Sequence, residues 1–600
     1  MMRLRRTGCI LLLLFAAWFC RAEQFGEISI EMVPGMIEEP RGETGCFIRE
    51  FRLENRGGGP AAIWMRMYAD SGLPFSAERS LLLPPGAVRN VQLQWPQVIS
   101  RRYLSRYSSN HLSAELELAI NGRRVRHSLS PGGGGISVTT LVSGTVALGE
   151  FLSKLNSLQV RVSPVPVAQW GREPLDYSGL RSVWISSTDR LPTEVETALM
   201  RWVFGGGTLV VCVPPDAAWP EGEEPDEGLR KISHGWGTRI LCRPIPPDGF
   251  PEAADGPEPE EQPGSAAATA AVDVSPFGMD NQSDESGIFS ASPGLSLLHS
   301  LTTGGSSRIS QDSSAVEDGL KLEIPTIPLH WLFFVMVAFV ILIGPVNYFV
   351  LRKLHREMLL LATTPAISLL FCLLVIGFIT VDEGWYSRAK ASGITLLDQP
   401  TRLAATHVRF GVYAPIPPRG GLRFDSGDML NFCGAGEIDL ALNEGQHFRS
   451  GLIQPRIPLY AVVERVTLQR EQLRIVREKG GISVVNGLGV KLTGLGVIDD
   501  AGRLFVTDDP VEPGARVQLK PTSFRTGRSE MEWEALLKQF ERSDAPGAEE
   551  NFIRRNVREF ARGYYVALTE EPLFYTPGFK PDQFEANHLV FGRYSFSGEE

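Results

Sequence analysis

Six hundred residues with a formal net charge of −10 are enough for several domains and give no basic footprint for nucleic acid. Of the seven cysteines, Cys46, Cys212, Cys242 and Cys433 lie outside the apolar leader and membrane segments, too few for a disulfide scaffold. No Cys-x-x-Cys pair is present, which removes a zinc ribbon.

Arg3, Arg5 and Arg6 precede the apolar run 10–19, and Cys20-Arg21-Ala22 stands before Glu23. This order predicts a secretory signal over 1–22. A retained signal anchor is the alternative, because Arg21 and the bulky Trp18-Phe19 make an imperfect cleavage site, while Phe19 before Cys20 disfavours a lipoprotein. Both surviving readings export the chain that follows.

Residues 25–134 read as an antiparallel β-sandwich. Ile28–Val33 and 115–120 alternate apolar with polar positions, and Asn55-Arg56-Gly57, Pro84-Pro85-Gly86 and Asn121-Gly122 supply turns. The last of these is a two-residue hairpin signal. The order of elements is similar to the immunoglobulin-like modules of bacterial surface proteins, a likeness of fold only.

Over 135–247 the period changes. Short apolar strands are expected at 136–142, 160–162 and 183–185, with a helix over 149–158. A second helix over 191–204 places Val195, Ala198, Leu199, Trp202 and Val203 on one face, starts with capping-box spacing at Thr193 and Glu196, and stops at Gly205-Gly206-Gly207. Thr208-Leu209-Val210-Val211-Cys212-Val213 suits the centre of a parallel sheet. This phrase, with Gly235-Trp236-Gly237-Thr238-Arg239-Ile240-Leu241, resembles the class I glutamine-amidotransferase-like, flavodoxin-like domain of bacterial membrane proteins. The resemblance implies a fold more than an activity. An active member needs a Gly-x-Cys-x-Gly turn, and none occurs; Cys212 runs into Val213-Pro214-Pro215, and His234 is the nearest base. The domain therefore reads as a degenerate, non-catalytic relative.

Cys212 and Cys242 each end an apolar strand of that domain. If the strands are neighbours, the two are either a structural disulfide or a pair of unpaired buried thiols, the second being the more ordinary outcome.

Residues 248–322 are acidic and rich in Pro, Gly, Ser and Ala, with no Lys or Arg between Pro251 and Ser300, and read as a disordered linker or insertion. Two apolar runs follow, 329–351 and 358–381, each with the ~20 residues that span a bilayer and neither containing Asp, Glu, Lys or Arg. The connection 352–357 carries Arg352, Lys353 and Arg356, whereas Asp318, Glu323, Asp382 and Glu383 flank the pair. Basic residues concentrate in cytoplasmic loops, so 352–357 is expected inside and both flanks outside a bacterial cytoplasmic membrane. Gly344-Pro345 should kink the first helix, and Asn347 should bond to Thr363 or Thr364. The phrase Gly344-Pro345-Val346-Asn347-Tyr348-Phe349-Val350-Leu351-Arg352-Lys353-Leu354 resembles one recurring in uncharacterised bacterial membrane proteins that join such a hairpin to an exported amidotransferase-like domain. That likeness implies architecture and no specific activity.

Residues 385–600 return to β structure with helical candidates at 530–540 and 551–561. Gly487-Leu488-Gly489 and Gly494-Leu495-Gly496 lack the following helix that a phosphate loop requires and read as turns. Asp499-Asp500 and Asp508-Asp509 are weak calcium candidates and better exposed turns. There is no His-Glu-x-x-His helix and no Gly-x-Ser-x-Gly elbow. The whole reads as a multidomain α+β membrane protein with an N-terminal β-sandwich, a flavodoxin-like α/β domain, two transmembrane helices and a C-terminal β-rich region. No catalytic, metal or cofactor residue is assigned. The expected partners are the lipid bilayer and membrane or periplasmic proteins. A non-catalytic extracytoplasmic scaffold is the leading expectation; an exported amidase or peptidase-like enzyme and an accessory subunit of an envelope export or assembly system are the alternatives.

Overall fold

The computed structural model describes residues 23–25, 27–33, 46–69, 75–96, 114–128, 140–143, 162–180, 182–214, 217–220, 229–243, 320, 322, 329–355, 357–383, 386–433, 438–478, 481–507, 509–525 and 563–595. The chain divides into two compact units, one of 1–35, 43–134 and 310–600, the other of 36–42 and 135–309. Strands dominate both. The expected α+β class with a flavodoxin-like α/β domain is thereby corrected to a mostly β architecture. The signal 1–22, nearly all of the linker 248–322 and the helical candidates 149–158, 530–540 and 551–561 lie outside the described residues.

Among its described residues the larger unit holds three sheets. A four-stranded antiparallel sheet runs Glu23–Phe25, Ile28–Val33, Cys46–Asn55, Val88–Pro96. A seven-stranded sheet runs Leu422–Phe424, Gln446–Ser450, Ile438–Ala441, Phe75–Leu83, Ala61–Ala69, Ala114–Ile120, Arg123–Ser128. Its join is the parallel pairing of Ile438–Ala441 with Phe75–Leu83, in the register Ile438↔Phe75. Strands of the segment 25–134, expected as an immunoglobulin-like β-sandwich, share this sheet with strands that follow the apolar hairpin. They share a core as well: Phe51, Met65, Met67 and Leu118 pack in one cluster with Phe410, Phe432 and Phe448. Period-2 alternation accounts for this inward set, since Ile63, Met65 and Met67 are buried while Trp64 and Arg66 between them are less so. The expected hairpin turn is present, with Asn121 and Gly122 both at positive φ (47° and 85°), the pattern of a type I′ turn.

The third sheet has eleven strands. Its long central strand Arg388–Asp398 pairs antiparallel with Leu403–Tyr413 and parallel with Gln583–Arg593. Beyond the latter, Tyr564–Thr569, Gly494–Ile498 and Arg503–Thr507 continue the sheet over a second apolar core that includes Leu473, Val497, Phe505 and Tyr565.

The smaller unit is a six-stranded sheet in the order Val162–Val165, Thr140–Ser143, Ser182–Ser186, Thr208–Cys212, Gly237–Cys242, Leu229–His234. The first five strands are parallel and the last is antiparallel. The helix Thr193–Phe204 buries Val195, Ala198, Leu199, Trp202 and Val203, the face its spacing predicts. Its start differs from expectation: Pro192 is the N-cap, makes no side-chain cap bond, and Thr193 is already helical. Its end is held by the Gly205 N–H donating to the Arg201 carbonyl at 3.0 Å, and Gly207 admits the Trp202 ring against a position where a Cβ would collide with it. It is the one α-helix among the described residues of this unit. The connection 166–180 leading to Ser182–Ser186 is built instead from the 3₁₀ turns Val167–Gln169 and Pro174–Tyr177. Pro164, Pro166 and Pro174 remove the donors a longer helix would need.

Candidate functional site

The strongest apolar feature of the surface is the hairpin. Phe333–Lys353 and Leu360–Gly377 are two helices long and apolar enough to cross a membrane. Almost none of either span is buried by the rest of the protein, and Phe333, Phe334, Phe349, Leu361 and Leu369 all face outward. Length, lipid-like composition and exposure together distinguish these helices from core helices of a soluble domain.

The expected kink takes the form of a π-helical turn over Leu342–Val346 containing Pro345, between the helices Leu329–Ile341 and Asn347–Lys353. Proline supplies no N–H, and the widened turn redistributes the neighbouring carbonyls. Asn347 follows immediately and is 7% exposed. Thr363 Oγ1 donates to its Oδ1 at 3.1 Å, the cross-helix bond expected from sequence, and the Phe339 and Phe371 rings meet with centroids 5.2 Å apart. Pro365 inside the second helix was not singled out by sequence, although it sits at the same level as this contact.

The hairpin is tied closely to the β unit. The helix Leu360–Glu383 is followed after a few residues by Arg388–Asp398, the central strand of the eleven-stranded sheet. On the other side, Leu320 packs with Tyr460 and Val462 on the neighbouring part of that sheet.

The remaining sequence candidates separate. Cys212 and Cys242 are partners in register on adjacent parallel strands, both buried and both free thiols. His234 lies at the opposite end of its strand, since Leu229 and not His234 is level with Cys242. Five residues of strand put it about 17 Å from the thiols, and its ring packs edge-on against Phe204 instead. A Cys212–His234 dyad is not assembled. Asp499 is fully buried and accepts from Arg503 N and Nε at 2.8 Å, closing a turn. Asp508 lies outside the described residues. Asn486 fills the Gly487–Gly489 turn, its Nδ2 donating to the Val490 and Val511 carbonyls and its Oδ1 accepting from Leu488 N. Among the described residues no three His, Cys, Asp or Glu side chains gather as a metal site would require.

Two polar clusters of the larger unit are not visible in the sequence, because partners such as Thr395, 193 positions from His588, and Asp425, 40 positions from Arg465, are not neighbours along the chain. His588 is fully buried, bonds through Nε2 to Thr395 Oγ1 at 2.8 Å and stacks on Tyr575. Burial lowers its pKa to about 3, so it stays neutral. Arg465 Nε meets Asp428 at 2.8 Å, its other arm pairs with Asp425, and its Nη1 donates to the Phe574 carbonyl at 3.0 Å. Burial pushes Asp428 up to about 6 in spite of the guanidinium, which pulls the other way. Each of these groups has side-chain or backbone partners that suit a structural role.

No family model matches the chain, and no curated protein matches it. Among solved structures, a cycloisomaltooligosaccharide glucanotransferase from Paenibacillus sp., complexed with cycloisomaltoheptaose, is 6% identical over 32% of this chain and 28% of its own length, with a TM-score of 0.15. The yeast delta-COP-I mu-homology domain, complexed with a Dsl1 peptide, is 5% identical over 34% of this chain and 96% of its own, with a TM-score of 0.17. The chain therefore spans less than a third of the first of these proteins. Likenesses at this level imply neither a shared fold nor a shared activity.

Proposed function

We propose that the protein is a membrane-anchored extracytoplasmic scaffold, seated by its hairpin in a bacterial cytoplasmic membrane, with the loop 352–357 in the cytoplasm and the β units outside. The observation that carries this reading is the seven-stranded sheet. Its strands come from both sides of the hairpin, Phe75–Leu83 before it and Ile438–Ala441 after it. Strands that pair backbone to backbone occupy one compartment, so the chain between them crosses the bilayer an even number of times. Two crossings, made by the two apolar helices, satisfy that requirement, and the basic turn supports the inward direction of the loop.

The short link from the helix Leu360–Glu383 to the strand Arg388–Asp398 favours a presenting role. A β platform whose central strand leaves the membrane within a few residues of the helix end holds its surfaces at a fixed distance from the lipid, where membrane or periplasmic proteins can meet it. The phrase 344–354, with its likeness to other two-helix membrane proteins, supports the architecture.

Two measurements test the reading. With an impermeant thiol reagent on intact cells, a cysteine placed at Tyr386 should be labelled and one placed at Leu354 should not; the reverse pattern would put the β units in the cytoplasm. In mild detergent, the protein mass with the bound detergent subtracted should exceed the 66.0 kDa of the single chain. A strictly solitary monomer would remove the scaffold role while leaving the topology intact.

A further inference from the structure

The smaller unit carries a pair of thiols that the proposed scaffold role does not use. Cys212 and Cys242 are the last residues of their strands, partners in a parallel ladder, and so point to the same face of the sheet. That face is opposite the one on which Leu209 and Val211 pack with the helix Thr193–Phe204. Neighbouring strands lie about 4.8 Å apart, inside the roughly 4.4–6.8 Å Cα window of a disulfide. The two residues stand level with each other in the register of the paired strands. They are the only two described cysteines of this unit, and the third free cysteine among the described residues, Cys372, belongs to the membrane hairpin.

We infer that Cys212 and Cys242 form an oxidative modification site, a dithiol that a small-molecule or protein disulfide converts into a reversible cross-strand disulfide. The Cys212 thiolate attacks one sulfur of the incoming disulfide and expels one thiolate, giving a mixed disulfide. The Cys242 thiolate then attacks the Cys212 sulfur and expels the second. The two protein thiols lose two protons and two electrons, and the reagent leaves as two thiols. Cys212 is the entry point because it is 9% exposed against 3% for Cys242. Contact with Cys242 and burial both raise the Cys212 thiol, and the charge of Asp189 adds to the effect. The reaction is therefore slow near neutrality, and its rate rises about tenfold per pH unit as the thiolate fraction grows. The product staples two central strands that are otherwise joined only by backbone bonds and packing.

The experiment treats the folded, full-length protein in mild detergent with oxidised glutathione at about pH 8.5, quenches with an alkylating agent, and maps peptides without reduction. The expected result is a linked peptide pair joining Cys212 to Cys242, with both thiols lost together and both recovered after dithiothreitol. Cys242→Ser should remove the cross-link and leave a glutathione adduct on Cys212. Should that variant fail to fold, the wild-type map decides alone. Recovery of both cysteines alkylated after prolonged treatment would overturn the proposal, and so would glutathione on Cys212 with Cys242 still free in the wild type.

Discussion

At His588 a single buried imidazole sets an acid limit. Burial lowers its pKa from 6.5 to about 3. The unfolded chain therefore takes up a proton near pH 6.5 that the folded chain refuses, so the stability held here is complete above that pH and drains as the pH falls toward 3. At about pH 4.5 the loss reaches about 3 kcal/mol. Thermal unfolding of His588→Gln should show a shallower decline between neutral and acid pH than the wild type; equal slopes would assign the acid sensitivity to other groups. Gly592 offers a second residue-scale test. The Tyr565 ring lies where its Cβ would stand. Gly592→Ala should cost about 1–3 kcal/mol by overpacking, and less when Tyr565→Leu has already removed the end of the ring. Additive losses would show that the two do not meet. Neither residue announces itself in the sequence. Thr395 and His588 are separated by 193 positions, and Gly592 looks like any glycine in a strand.

Elements were legible where the signal is local. The apolar spacing of Val195, Leu199 and Trp202 predicts the buried face of the helix Thr193–Phe204, and Asn121-Gly122 predicts its turn. The hairpin was visible down to one side-chain bond, because length, charge asymmetry and a polar residue opposite a threonine are all local patterns. The bond from Thr363 to Asn347 can be measured: Thr363→Val should weaken the helix pair by about 0.6 kcal/mol, and by no more than about 1.7. A double-mutant cycle with Asn347→Leu in detergent titrations reads that coupling, and a coupling of zero would show that the contact does not hold the hairpin. Elements failed where the reading relied on an analogy of order. The flavodoxin-like resemblance implied an α/β domain, yet among the described residues strands dominate and the connection 166–180 is built from 3₁₀ turns.

For the whole molecule, what stayed hidden is the long-range pairing. Periodicity identifies a strand and its buried face but carries no record of its neighbour. The pairing of Phe75–Leu83 with Ile438–Ala441 is invisible for that reason, as is the core shared by Met65, Phe432 and Phe448. The sheet gives a direct prediction. Residues 25–134 produced alone lack both the parallel neighbour and part of the core, so limited proteolysis should degrade them far faster than the same segment in the full chain. A protease-resistant fragment with a cooperative melt would show that the segment is an independent domain after all.

That pairing also places a delay in the life of every molecule. The strand ending at Leu83 leaves the ribosome 355 residues before Ile438, the first residue of its partner (438 − 83). At ~5–20 residues per second the wait is roughly 20–70 s. During that interval the edge of Phe75–Leu83 that Ile438–Ala441 will cover stands unpaired while the two apolar helices are made. Any slowing of synthesis between the two lengthens the period in which the unpaired edge can aggregate or be cut.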